Sequence, residues 1–81
     1  MTDLLLRRAR EAFRDQNDYD VVSDGKKVGR IFRPGAGAPR DLPWFWTITA
    51  WPMPDTVRKP YLGYTETRAD AMSAFAKSWR G

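Results

Sequence analysis

The side chains of this chain best able to do chemistry are cations and aromatics, and they lie close together in sequence. Lys26, Lys27, Arg30 and Arg33 fall in a stretch running to Pro39 that contains no acid. Shortly after comes Pro43-Trp44-Phe45-Trp46-Thr47-Ile48-Thr49-Ala50-Trp51-Pro52, an aromatic run bounded by prolines. Aromatic rings exposed beside Lys and Arg are how a sheet stacks single-stranded bases while cations hold the phosphates. The same residues also suit plainer tasks. Lysines on a strand block edge-to-edge aggregation, large aromatics fill small cores, and oligomerisation would cover an aromatic face equally well. The candidate surface is therefore Lys26, Lys27, Arg30, Arg33, Phe45 and Trp51, facing either a protein or a nucleic acid.

Other chemistries are excluded or unsupported. The chain has neither Cys nor His, which removes disulfides, thiol nucleophiles, Cys/His zinc sites and every His-based triad. The Gly-rich segment Pro34-Gly35-Ala36-Gly37-Ala38 leads into a strand and has no Lys-Ser/Thr after it, so it does not read as a phosphate loop. Asp18, Asp20, Asp24, Asp41, Asp55 and Glu66 sit in or beside turns, where acids serve backbone hydrogen bonding. No spacing forces two of them together as acid and base. The sequence thus points to no catalytic, cofactor-binding or metal-binding residue, to no cofactor, and away from an enzyme.

The 81 residues suffice for one small domain, and 42% hydrophobic content suffices for its core. The formal charge of +4 is uneven. Arg7, Arg8, Arg10 and Arg14 are balanced by Asp3, Glu11, Asp15 and Asp18, so the surplus lies later in the chain. Such a surplus attracts nucleic acid or acidic proteins, or simply keeps a surface solvated. The longest apolar run near the start is Leu4-Leu5-Leu6, too short for a secretory core or a membrane helix. The expectation is a soluble cytoplasmic protein with no membrane contact.

The elements that must position these residues follow from periodicity. Thr2 to about Gln16 reads as an amphipathic helix, with Leu5, Ala9, Ala12 and Phe13 on one face. Tyr19 to Arg33 reads as a hairpin turning at Asp24-Gly25, since both residues tolerate positive φ. Centring the turn there pairs Val22 with Lys27, Val21 with Val28 and Tyr19 with Arg30, so Tyr19, Val21, Val28 and Phe32 form the core face. Arg30 and Arg33 then point to opposite sides. Residues 34–43 are a loop. Trp44 to Trp51 alternate as a strand, with Trp44, Trp46, Ile48 and Ala50 on one side and Phe45, Thr47, Thr49 and Trp51 on the other. Tyr61 to Thr65 is a short further strand. Thr67 caps a helix to about Arg80 with Asp70 in its first turn and Met72, Phe75, Ala76 and Trp79 as its apolar stripe.

The expected fold is α+β: a small two-layer sandwich in which an antiparallel meander of three to four strands packs on a C-terminal helix, with an additional N-terminal helix. Residues 1–81 make one domain, divided into the N-terminal helix (1–17) and the sheet with its helix (19–81).

Three strings carry a resemblance: Tyr19-Asp20-Val21 with Asp24-Gly25, Pro43-Trp44-Phe45-Trp46-Thr47, and Thr67-Arg68 through Ala71-Met72, Ala74-Phe75 and Ser78-Trp79. Over about residues 19–80 the chain resembles a set of small bacterial proteins with no established activity, so the resemblance implies none. In topology it is loosely similar to plant-type and integrase-arm DNA-binding domains, which read DNA with Arg and Trp on a sheet. It is also loosely similar to antitoxins with a small ribonuclease-H-like sheet and helix. The order resembles double-stranded RNA-binding domains too, but their basic helix start is missing here. Arg68 stands there alone, flanked by Glu66 and Asp70. The residues favour a non-catalytic binding module that contacts an unknown protein partner or a second copy of itself. The alternative is a nucleic-acid-binding module using the basic hairpin and the sheet aromatics.

Overall fold

The computed structural model describes residues 4–8, 18–34 and 38–81. At its centre is the hairpin of β2 (Asp18–Ser23) and β3 (Lys26–Phe32). Its turn residues Asp24 and Gly25 have φ of 56° and 77°, the paired positive values that match the right-handed twist of the flanking strands. β4 (Trp44–Ile48) and β5 (Leu62–Thr65) continue the sheet on one side and β1 (Leu4–Arg8) on the other. The five strands lie in chain order β1-β2-β3-β4-β5, all antiparallel. One helix, α1 (Arg68–Arg80), packs on one face over β3, β4 and β5. The protein is α+β, an antiparallel meander packed on a C-terminal helix.

The first element departs from expectation. Leu4–Arg8 form a strand, so the sheet has five strands rather than three to four, and no helix begins in this stretch. Three consecutive leucines cannot all lie on one narrow helical stripe. In a strand they divide: Leu4 and Leu6 are half-buried toward the helix side, and Leu5 is exposed on the other. The remainder of the expected helix, with Ala9, Ala12 and Phe13, lies outside the described residues.

The hairpin register also departs from expectation. Val22 faces Lys27 as anticipated, but Val21 faces Gly29 and Tyr19 faces Ile31, because a bulge places Val28 as an extra residue. The tertiary cause is Gly29, which lies under the Phe75 ring. A Cβ on Gly29 would come within 2.5 Å of both Phe75 Cζ and Thr47 O. The shift turns Ile31 into the core, fully buried, and moves Phe32 to the opposite face.

On the helix face the core comprises Val21, Val28, Ile31, Trp46, Ile48, Val57, Ala71 and Phe75. Phe75 is its hub, 6.0 Å centre to centre from Trp46 and 6.3 Å from Trp79. Thr67 caps α1 by accepting the Asp70 N–H at 3.1 Å, which satisfies one of the unpaired donors of the first turn. The stripe is rotated slightly from the anticipated one. Ala71, Phe75 and Ser78 are buried, whereas Met72, Ala76 and Trp79 are half-buried. Small residues at 71 and 78 let the helix approach the sheet. The same approach brings the Ser78 carbonyl to the Arg58 N–H at 2.8 Å. With Val57 in the core, this fastens the loop after β4 to the end of the helix. No described helix is long and apolar enough to cross a membrane.

Candidate interaction surfaces

The sheet face away from α1 is where the strands bring side chains together. Strand alternation puts Arg30 and Phe32 of β3, Phe45 and Thr47 of β4, and Leu62 and Tyr64 of β5 on this face, and the register aligns them across strands. Phe32, Phe45 and Tyr64 form one row. The first two rings meet edge-on at 5.5 Å, and the second and third are tilted at 5.0 Å. Phe32 and Phe45 are half-buried, while Tyr64 at 39% and Leu62 at 54% are exposed. The row therefore becomes more accessible toward the outer edge of β5.

Charges on this face are engaged with one another. Arg30 grips Asp18 with two bonds, Nε to Oδ1 at 3.0 Å and Nη2 to Oδ2 at 2.5 Å, the bidentate geometry natural to a guanidinium and a carboxylate. Its guanidinium also lies 4.2 Å from the centre of the Phe32 ring. Asp20 is nearly buried, with Lys27 Nζ 3.1 Å from Oδ1 and Arg7 Nη2 3.6 Å from Oδ2. The Oδ1 atom makes no hydrogen bond, so its compensation is charge proximity. Arg30 and Lys27 thus serve the sheet before any ligand.

A second grouping lies at the hairpin end. β4 stops at Ile48, short of the anticipated Trp51, because the N–H groups of Thr49 and Ala50 both turn onto the Val28 carbonyl, at 2.9 and 3.2 Å. The bulge in β3 and the end of β4 are thus one feature. Pro52 and Pro54 have no N–H to extend a ladder. Trp51 is left outside the strand with 92% of its surface exposed. Its neighbours across a shallow cleft of about 310 Å³ include Lys26, Lys27, Pro54 and Trp79.

The six candidate residues therefore separate. Lys26, Lys27 and Trp51 meet at the hairpin end. Arg30 and Phe45 lie on the sheet face away from α1, both half-buried, and Arg33 lies apart, 5.9 Å from the Trp44 ring. Sequence reasoning missed Phe32, which it placed in the core, together with Leu62 and Tyr64. The alternation of Leu62 and Tyr64 about Gly63 was a readable signal for the last two. Another concavity, between β1 and α1, is lined in part by Leu4, Leu6, Trp44 and Met72. Beside it Arg68 donates to the Tyr19 hydroxyl at 2.7 Å and covers its ring at 4.7 Å. Among the described residues no three acids, cysteines or histidines converge as a metal site. Comparison with known proteins finds no family model, curated protein or solved structure that matches this chain.

Proposed function

We propose that the chain is a non-catalytic binding module that makes protein–protein contacts, with a second copy of itself as the partner and β5 as the contact strand. The observation that carries this reading is the contrast between the sheet's two edges. Free edges are commonly guarded by charge. β1 presents Arg7 and Arg8, both exposed, whereas Tyr61 to Thr65 contains no charged residue and exposes Tyr61, Leu62 and Tyr64.

The hydrogen-bond phase of β5 favours a second copy. The Ile48 N–H donates to the Tyr61 carbonyl at 2.8 Å, and antiparallel ladders alternate residue by residue. Tyr61, Gly63 and Thr65 therefore bond toward β4, and Leu62 and Tyr64 turn their N–H and C=O groups outward. An antiparallel copy centred on Gly63 sets Leu62 against Tyr64 of the second copy and Tyr64 against its Leu62. That pairing forms four backbone hydrogen bonds and continues the row of Phe32, Phe45 and Tyr64 across the join. Such a contact is isologous, as a two-fold dimer requires. An edge this short buries less than the roughly 800 Å² per partner of a standard interface, so affinity on the order of micromolar is expected.

Sedimentation equilibrium from low micromolar to millimolar protein tests the reading. The expected result is a mass rising from monomer to dimer, with little response to salt. Tyr64→Lys places a cation on the edge and should hold the chain monomeric at every concentration while its thermal melt is preserved. A wild-type chain that stays monomeric at millimolar concentration overturns the reading.

A further inference from the structure

We infer that the hairpin end is a second, separate binding site, and that its ligand is single-stranded nucleic acid. The starting point is Trp51, whose indole is 92% exposed. The fold does not use this side chain: the loop that carries it is already held by the buried Val57 and by the Arg58–Ser78 backbone bond. Both faces of a large flat ring are thus left to solvent between Ala50 and Pro52.

The surroundings set the sign of the ligand. Lys26 and Lys27 border the same cleft, and among the described residues no Asp or Glu lines it. Two acids stand near: Asp20, 3.1 Å from Lys27, and Asp24 in the adjoining turn. Lys26 is exposed and makes no ion pair among the described residues. At about 310 Å³ the cleft has the size of a small-ligand site and admits a single base with its phosphate.

An exposed indole next to cations distinguishes between anions. An acidic peptide would satisfy the lysines and leave the flat ring without a matching group. A duplex keeps its bases stacked on one another and offers only phosphates. A single strand supplies both, a free base for the indole and a phosphate for Lys26, and every base has a face to stack. The site does not involve β5, so it stands independently of self-association.

The test is titration of the wild-type chain with a short oligothymidylate at low salt, read by tryptophan fluorescence and by anisotropy of a labelled strand. Quenching on binding is expected, with the logarithm of affinity falling against the logarithm of salt at a slope of about −0.7 for the phosphate held by Lys26 on a single strand. Trp51→Ala, at a position the core does not use, should retain its melting temperature and lose about tenfold or more in affinity. Lys26→Ala should weaken binding and make the salt slope shallower. Absence of binding at low salt overturns the inference. So does undiminished binding by Trp51→Ala, equal affinity for a duplex of the same length, or equally effective competition by polyglutamate, which would mark the site as a general anion or acidic-peptide surface.

Discussion

Replacing Gly29 by alanine should destabilise the protein by roughly 3 kcal/mol, the upper part of the range for overpacking a core. The new methyl would come within 2.5 Å of Phe75 Cζ and of Thr47 O, where carbon contacts relax near about 3.5–4.0 Å. An aromatic ring can tilt away, but Thr47 O belongs to the backbone of β4, whose register against Gly29–Phe32 is fixed on both sides. Relief therefore requires moving a central strand. For a domain of this size each kcal/mol corresponds to about 4–8 °C, so the melting midpoint should fall by about 12–24 °C. Urea denaturation followed by tryptophan fluorescence should show a lowered midpoint at an unchanged slope. In the Phe75→Leu background the same substitution should cost about 1 kcal/mol less, because the ring's part of the clash is gone and that of Thr47 O remains. A Gly29→Ala protein with the wild-type midpoint, or strict additivity with Phe75→Leu, would refute the account of the bulge.

Three further outcomes are expected. Phe75→Ala removes the fully buried hub of the core and should cost about 3–5 kcal/mol in the same urea experiment; a mutant with near-wild-type stability would contradict the placement of α1. Gly25→Val forces a β-branched residue to φ near 77° and should cost roughly 1–2 kcal/mol, with an unchanged melt arguing against the turn. Iodide should quench Trp51 more than the buried Trp46. Trp51→Phe should therefore remove most of the quenchable emission, and equal quenching in the two proteins would show that Trp51 is shielded.

Local chemistry made much of the molecule legible in the sequence. Asp24-Gly25 declared its turn through positive φ, and Thr67 with Asp70 declared the start of α1. Both are signals complete within four residues. The aromatic alternation of β4 correctly put Trp46 and Ile48 inward and Phe45 outward. The bulge was not legible, because its cause is a ring 46 positions downstream, Phe75 over Gly29. That single offset moved Ile31 and Phe32 to the wrong faces in the sequence reading, and with Phe32 one of the three rings of the aromatic row. Leu4–Arg8 misled for another reason. A run of leucines carries no period of its own, and pairing with β2 decided the matter. The cationic hairpin and the aromatic strand were each visible. Their division between the sheet face away from α1 and the hairpin end depended on where β4 stops, a tertiary event at the Val28 carbonyl.

The claim that β5 is a self-pairing edge is tested most directly by isotope-filtered NOE spectroscopy on an equal mixture of ¹³C,¹⁵N-labelled and unlabelled chains at millimolar concentration. The account predicts intermolecular contacts between the Gly63 Hα protons of the two copies and between Leu62 of one and Tyr64 of the other. A spectrum with no intermolecular contacts, or with contacts confined to other strands, would contradict it.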